Sequence, residues 1–281
     1  MPDFSFLLKV SRPRFWLYLF GPYIIGLAAA ASTRGELLSF GTVVFGLYFL
    51  FPANLLLYGI NDIFDFETDK LNPKKREYEA LVRPDDVRSL VLAILLTNLP
   101  FIIAALFFDT TALAAMAGFL LFSIFYSAPP VRAKTIPVVD SIFNVLYIFP
   151  GLLAFALITG NFAPTSAIIA GGFWTAAMHA YSAIPDIESD TNAGLETVAT
   201  FLGRNGTHLF CSACYLLSAL LAFPFLGALA AACGFVYLAL ILTSLYAKRY
   251  SDIFGIYKYF PAVNTVIGFI LFWYVALNNL T

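Results

Sequence analysis

Long stretches without a charged residue constrain this chain of 281 residues more than any other feature. Residues 141–185 contain no Asp, Glu, Lys or Arg, and neither do residues 205–247. About 20 apolar residues cross the hydrocarbon core as a helix, so each stretch is long enough for two spans. Only 12% of the residues are charged, against about 25% in soluble domains. The sequence therefore predicts an all-α, polytopic integral membrane protein and excludes a soluble globular fold.

Uncharged windows and turn signals predict nine transmembrane helices in a single domain that covers residues 1–281. Turn-like residues near 160–164 and 224–227 divide the two longest windows. The windows are residues 15–33, 37–61, 89–108, 110–131, 141–185 (two spans), 205–247 (two spans) and 259–280.

The basic residues predict the orientation of these spans. With nine spans, all of the 16 Lys and Arg residues except Arg34 fall on one side of the membrane. Positive charge in short loops marks the cytoplasmic side. The N-terminus and the loops after the even-numbered helices are therefore expected to be cytoplasmic.

Carboxylates cluster at the end of the second window. Asp62, Asp65 and Asp69 are spaced three and four residues apart, which on a continuous helix places them on one face. Acids at the membrane edge are costly and usually functional, and hard oxygen ligands suit Mg²⁺. A second cluster contains Asp186 and Asp190, four residues apart at the end of the sixth predicted helix. Both clusters lie on the predicted cytoplasmic side and are expected to face each other.

Two carboxylate clusters with nearby basic residues favour binding of a diphosphate through Mg²⁺, because carboxylates and diphosphate repel each other without a cation. Arg132 and Lys134 are the first candidates to neutralise the remaining charge, and Lys70, Arg76, Arg83 and Arg204 are further ones. An allylic diphosphate ionises to a carbocation, which needs a dry chamber with electron-rich walls. The 30 Phe and 15 Tyr residues can supply such walls.

Other interpretations of these residues stay open. The acidic clusters could be solvated helix ends, or the intramembrane acids of a secondary transporter, although acids confined to one side of the membrane speak against transport. Arg12 and Arg14 are typical of topological anchors at the headgroup level. His179 precedes Asp186 by about two helical turns and is typical of a satisfied interhelical histidine.

The segments NDIFDFETD (61–69), DIESD (186–190) and YSAPPVRAK (126–134) together resemble the signature motifs of the UbiA superfamily of intramembrane prenyltransferases. The resemblance covers nearly the whole chain. It implies a helical bundle around a central cavity, Mg²⁺-dependent departure of diphosphate, and transfer of the prenyl group to a lipophilic acceptor.

The resemblance also implies roles for individual residues. Asn61, Asp62 and Asp65, assisted by Asp69, would hold metal and diphosphate together with Asp186 and Asp190. Tyr126, Arg132 and Lys134 would contact the diphosphate or the reacting end of the substrate. Arg76 and Arg83 are substrate-binding candidates, but the basic run that contains them departs from the spacing of quinone-pathway members. Replacement of Asp62 or Asp65 by Ala is predicted to abolish Mg²⁺-dependent release of diphosphate and to leave folding intact.

Within the superfamily, residues 11–22 and 61–75 most resemble the lycopene elongase branch of carotenoid biosynthesis. Such enzymes add a C5 unit from dimethylallyl diphosphate to lycopene, in some cases with addition of water. The expected partners are thus an isoprenyl diphosphate, a carotenoid acceptor and membrane lipid, and no nucleic acid. An aromatic or quinone precursor is the alternative acceptor, and Arg14 is a candidate to bind the carboxylate of an aromatic acid.

Overall fold

A helix lies in every predicted window of the computed structural model, which describes residues 3–70, 79–192, 194–247 and 250–280. No strand occurs in these four ranges, and the predicted all-α class is confirmed. The helices are α1 Phe4–Val10, α2 Leu17–Ala30, α3 Arg34–Leu37, α4 Phe40–Leu50, α5 Pro52–Phe64, α6 Phe66–Asp69, α7 Val87–Ala105, α8 Thr110–Ser127, α9 Val139–Phe143, α10 Phe149–Thr159, α11 Thr165–Ala183, α12 Ile187–Asn192, α13 Val198–Leu226, α14 Ala228–Tyr246, α15 Tyr250–Tyr257 and α16 Phe260–Asn279.

The number of membrane spans is smaller when it is judged by helix length and composition alone. Among the described residues, six helices are long and apolar enough to cross a membrane, or seven if residues 139–147 and 149–159 form one span. Helix α2 has only 14 residues, which is less than the bilayer core requires of an uninterrupted helix. The chain is an integral membrane protein, and the count of nine spans stays a prediction.

The chain divides into two compact units. Unit 1 consists of Met1–Val131, Phe149–Phe162 and Leu271–Thr281, and unit 2 consists of Arg132–Ile148 and Ala163–Ile270. The first acidic motif and Tyr126 belong to unit 1. The second acidic motif, Arg132 and Lys134 belong to unit 2.

The second window of unit 1 is two helices that meet at Pro52. Proline has no N–H and its ring clashes with the preceding turn, so carbonyls near the break lose their helical donors. The side-chain amide of Asn54 donates to the carbonyls of Phe49 and Leu50 at 2.8 and 2.9 Å. The amide of Asn98, on α7, donates to the carbonyl of Pro52 at 3.0 Å. These bonds stabilise the break that directs α5 toward the first acidic motif.

Helices α2 and α10 of unit 1 cross where each of them has a glycine residue. A Cβ atom added to Gly26 would lie 2.2 Å from the carbonyl oxygen of Gly151, so only glycine permits this approach. Small residues at helix crossings are the usual way in which membrane helices gain close packing.

Gly26→Ala is therefore expected to lower the free energy of unfolding by about 1–3 kcal/mol, the usual cost of overpacking. Gly21→Ala is the matched control, because a Cβ at Gly21 on the same helix meets nothing within 4 Å. Thermal unfolding in detergent measures both variants. Equal stability of the two would contradict the close crossing.

In unit 2, hydrogen bonds and stacked rings connect the long helices. The rings of Tyr215 and Tyr237 stack with centroids 4.3 Å apart. Trp174 donates to the Tyr237 hydroxyl at 2.9 Å, and that hydroxyl donates to Asn264 Oδ1 at 2.8 Å. Buried polar groups on facing membrane helices are thus satisfied across α11, α14 and α16.

Arg204 has a local structural role. Its guanidinium donates to the carbonyls of Ser244, Leu245 and Ala247 at the C-terminal end of α14. A cation there compensates carbonyls that have no helical partner. These hydrogen bonds explain the position of Arg204 in the fold, and a contact of Arg204 with diphosphate stays a prediction.

Candidate active site

The first acidic motif lies where α5 ends. Asn61 and Asp62 occupy the last turn of α5, which ends at Phe64. Asp65 follows with φ −112° and ψ 10°, outside the helix, and Asp69 closes the short helix α6. The prediction that one continuous helix carries Asp62, Asp65 and Asp69 is therefore wrong. The break turns the backbone at Asp65, so helical spacing does not set the relation of Asp62 to Asp69.

Asp62 is buried in contact with an arginine. Only 1% of its side chain is exposed, and its Oδ1 accepts a hydrogen bond of 2.7 Å from the guanidinium of Arg12. That guanidinium also lies over the ring of Tyr58, 4.7 Å from the ring centroid. Tyr58 is one turn before Asp62 on α5, so the cation is held against one face of this helix.

Glu79 completes this network. Its carboxylate lies 3.5 Å from Arg12 Nε and also pairs with Arg14, and only 8% of its side chain is exposed. Burial by itself lowers the pKa of Arg12, but the charges of Asp62 and Glu79 outweigh burial and raise it. Arg12 therefore stays charged and keeps Asp62 paired.

The backbone of this arginine is held in an unusual conformation. Arg12 has φ 51°, in the left-handed region that non-glycine residues rarely adopt, between α1 and the 3₁₀ turn Pro13–Phe15. The indole N–H of Trp16 donates to the carbonyl of Ser11 at 3.1 Å and so fixes this turn. The sequence analysis treated Arg12 as a headgroup anchor and missed its contact with the motif, because Arg12 and Asp62 are 50 positions apart in the chain.

Asn61 is positioned by the end of α8. The hydroxyl of Ser127, the last residue of α8, donates to Asn61 Oδ1 at 2.9 Å. Tyr126, the predicted substrate contact, is half-buried and adjacent to Ser127. Tyr126 is thus the neighbour in sequence of a residue that contacts the first motif, and its role as a substrate contact stays a prediction.

The predicted basic residues have different settings. Arg132 and Lys134 are half-buried at the 3₁₀ turn Ala133–Thr135 of unit 2, and Arg132 has φ 46°. Arg83 is exposed, and its backbone N–H donates to Asp86 Oδ2 at 3.1 Å at the start of the turn before α7. Arg76 lies outside the described residues.

The second acidic motif follows α11. A 3₁₀ turn Ile184–Asp186 leads into α12, and Asp186 is exposed whereas Asp190 is half-buried. Burial, and then the negative charge of Asp186, raise the pKa of Asp190 to about 6. Two carboxylates that repel each other in this way form a favourable site for a divalent cation, since the cation relieves the repulsion.

A pair that the motifs do not contain acts electrostatically on Asp190. Asp140, at the start of α9, is fully buried, and its Oδ2 lies 3.3 Å from Nε2 of His179 on α11. The same oxygen accepts the N–H of Val198, the first residue of α13, at 2.8 Å. The charge of His179 lowers the pKa of Asp190 and that of Asp140 raises it, although less than burial and Asp186 raise it. Sequence reasoning used Asp140 only as the edge of an apolar window.

The donor set fits magnesium. Carboxylate and amide oxygens are hard ligands, and neither motif contains Cys or His. Within the described residues, no group of three or more His, Cys, Asp or Glu side chains is close enough to hold a metal. Mg²⁺ commonly binds through one or two carboxylates and substrate phosphates, so a group of three is not required.

The raised pKa of Asp190 predicts how stability depends on pH without metal. An unfolded Asp titrates at about 3.9. Between that pH and about 6, the folded state binds more protons than the unfolded state. The free energy of unfolding therefore falls as pH rises through this window.

We expect Asp190→Asn to flatten this slope and Glu196→Gln, at an exposed carboxylate, to preserve it. Denaturant unfolding in detergent with EDTA at several pH values measures the slope. The same slope in Asp190→Asn and wild type would contradict the role of Asp190.

The sequence and the fold of the chain can be compared with those of known proteins. The model of the UbiA prenyltransferase family matches residues 19–251. The chain belongs to this family. The match includes both acidic motifs, Tyr126, Arg132 and Lys134, so the resemblance inferred from the motifs is confirmed.

Three relatives with 40–42% identity are lycopene elongase/hydratases. The chain is 42% identical over 268 residues to a lycopene elongase/hydratase of Haloarcula japonica, covering 95% of this chain and 89% of the relative. It is 42% identical to a lycopene elongase/hydratase of Haloferax volcanii, covering 95% and 87%, and 40% identical to one of Halobacterium salinarum, covering 95% of both.

Solved UbiA structures share the fold. A UbiA homolog from Archaeoglobus fulgidus bound to DMAPP and Mg²⁺ matches with a TM-score of 0.69 and 21% identity, over 95% of this chain and 99% of that chain. An apo UbiA homolog from Aeropyrum pernix K1 matches with a TM-score of 0.70 and 17% identity, over 95% and 98%. The helical bundle of the family is thus the fold of this chain.

Proposed function

We propose that this UbiA family member transfers a C5 prenyl group from dimethylallyl diphosphate to lycopene, in a Mg²⁺-dependent reaction of carotenoid biosynthesis. The observation that carries the proposal is the 40–42% identity, over 95% of the chain, to three lycopene elongase/hydratases. The Archaeoglobus fulgidus homolog that binds DMAPP and Mg²⁺ supports the donor and the metal.

Both acidic motifs take part in diphosphate binding in this proposal. The first motif provides the carboxylates of Asp62, Asp65 and Asp69 and the side-chain amide oxygen of Asn61 as ligands. The second motif provides the carboxylates of Asp186 and Asp190. Mg²⁺, when bound, neutralises the diphosphate and makes it a better leaving group. Because the site draws a charged substrate, we also propose that both motifs and the N-terminus face the cytoplasm.

Basic side chains then neutralise the negative charge of the diphosphate that Mg²⁺ leaves uncompensated. Arg132 and Lys134 are half-buried at one turn, where an anion would meet two cations with reduced screening. Arg12 has another part, because its guanidinium pairs with Asp62 and holds that carboxylate in place. We propose that Tyr126 faces the reacting end of the prenyl group, where an electron-rich ring stabilises positive charge.

The contacts of Arg14 argue against an aromatic acid as the acceptor. A prenyltransferase for an aromatic acid needs a cation for the substrate carboxylate, and Arg14 was the candidate. In this fold, Arg14 pairs with Glu79 and lies over the ring of Phe15 at 4.5 Å. A carotenoid acceptor, which carries no charge, needs no such cation.

Membranes that contain the protein are expected to convert lycopene and dimethylallyl diphosphate to longer carotenoids only when Mg²⁺ is present. The assay offers lycopene and 4-hydroxybenzoate together, and mass spectrometry identifies the products. Asp65→Asn membranes control for other enzymes. Prenylated 4-hydroxybenzoate as the sole product would refute the proposed acceptor.

A further inference from the structure

Glu79 lies between two arginine side chains that come from the segment before α2. Its Oε2 lies 3.5 Å from Arg12 Nε, and its Oε1 accepts a hydrogen bond from Arg14 Nη2. Only 8% of the Glu79 side chain is exposed, so solvent does little to screen these pairs. Two guanidinium groups around one carboxylate form the arrangement with which proteins recognise anions. In this cluster the carboxylate belongs to the protein itself.

The charges of this cluster balance through Glu79. Arg12 also pairs with Asp62 at 2.7 Å, so two guanidinium groups and two carboxylates meet here. Removal of the Glu79 charge leaves one positive charge in excess among these four side chains. Arg12 is only 15% exposed and Asp62 is buried, and an excess charge in such surroundings is costly. A monovalent anion in the place of the Glu79 carboxylate would restore the balance.

Aromatic rings adjoin both arginines. The guanidinium of Arg12 lies 4.7 Å from the centroid of the Tyr58 ring, and that of Arg14 lies 4.5 Å from the centroid of the Phe15 ring. The centroids of the Phe15 and Tyr58 rings are 6.0 Å apart. Cations and apolar rings side by side suit a ligand that has both a carboxylate and a ring, because each part of the ligand then has a partner.

The cluster also lies where an acidic acceptor would need a cation. An aromatic acid has its reacting ring carbon only a few bonds from its carboxylate, so that carboxylate must bind close to the prenyl diphosphate. Arg12 contacts Asp62 of the first motif, to which the proposed function assigns the diphosphate. The Glu79 carboxylate therefore occupies a place that the carboxylate of an aromatic acceptor would require.

We infer that Glu79 is a specificity-determining residue, whose carboxylate excludes anionic acceptors and restricts the enzyme to uncharged ones. This inference rests on the proposed function. The Glu79 carboxylate pairs with the two arginines that would bind an acid, and its charge repels a second anion beside it. Lycopene carries no charge and is subject to neither effect.

Glu79→Gln tests this exclusion, because glutamine has nearly the shape of glutamate and no charge. Calorimetry with purified protein in nanodiscs measures the binding of 4-hydroxybenzoate and of 4-hydroxybenzamide, which has the same ring and no carboxylate. We expect Glu79→Gln to bind 4-hydroxybenzoate at least about 10-fold more tightly than wild type, because hydrogen bonds from a charged guanidinium become available to the ligand. The amide is expected to bind no better to the variant than to wild type.

Further variants control for indirect effects. Glu196→Gln removes an exposed carboxylate of unit 2 and is expected to bind 4-hydroxybenzoate as weakly as wild type. Arg14→Gln in the Glu79→Gln background is expected to abolish the gain, because one of the two cations is lost. Glu79→Ala leaves room for a small carboxylate. Benzoate is therefore expected to raise the thermal unfolding midpoint of Glu79→Ala more than chloride does at equal ionic strength, even if the variant is less stable, and to have no such effect on wild type.

Two results would overturn the role of Glu79. One is equal binding of 4-hydroxybenzoate by Glu79→Gln and wild type, and the other is an equal gain for the amide, which would indicate only added space. Wild-type protein that does not extend lycopene, together with a gain for the acid in Glu79→Gln, would refute the proposed acceptor and support the exclusion of anions by Glu79. Extension of lycopene by wild type without that gain would refute the role of Glu79 alone.

Discussion

Asp65→Asn is expected to lower Mg²⁺-dependent diphosphate release by about 100- to 1,000-fold, because a lost metal ligand removes several kcal/mol of stabilisation from the developing charge. Asp65 is half-buried and lies outside α5, so the amide fits its place and the fold is kept. A coupled phosphate assay with purified protein in nanodiscs measures the release.

The control for this variant is Asp85→Asn, which removes a carboxylate from the exposed 3₁₀ turn Pro84–Asp86. It is expected to release diphosphate at the wild-type rate. Full turnover in Asp65→Asn would remove Asp65 from the metal site.

Asp62→Ala is expected to lower the free energy of unfolding by about 3–5 kcal/mol, since it leaves the buried Arg12 without its nearest charge partner. Here the structure revises the expectation that alanine at this position leaves folding intact. Arg14→Gln removes an ion pair whose arginine is 43% exposed and is expected to cost less than about 1 kcal/mol.

Denaturant unfolding of Asp62→Ala, Arg12→Met and the double variant in detergent measures the pair. We expect the double variant to be more stable than Asp62→Ala, because no charge is then left buried without this partner. Additive losses would show that Arg12 and Asp62 do not stabilise each other.

The sequence predicts the helices of this fold well because each membrane span coincides with a stretch that has no charged residue. It also locates both acidic motifs, since spaced acidic residues at the end of such a window stand out from the basic residues of the other loops. The sequence does not predict where these helices break and end. Pro52 breaks the second window, and α5 ends at Phe64 before the motif is complete, because the backbone turns at Asp65.

Contacts between distant segments could not be predicted from the sequence. Arg12 and Asp62 are 50 residues apart, and Asp140 and His179 are 39 apart. In each case the two residues come from separate segments of the chain, and no local pattern selects the partner. A lone acid such as Asp140 at the start of a long apolar window is the only signal that marks such a residue beforehand.

Mg²⁺-dependent binding of a non-reactive thio analogue of dimethylallyl diphosphate tests the central claim most directly, because it asks whether the two motifs hold one ligand. Calorimetry compares wild type, Asp65→Asn, Asp190→Asn and the double variant. We expect each single substitution to weaken binding about 100-fold and the double substitution to weaken it far less than the product of the two. Unaltered binding in Asp190→Asn, or losses that multiply as for independent sites, would contradict a shared diphosphate site.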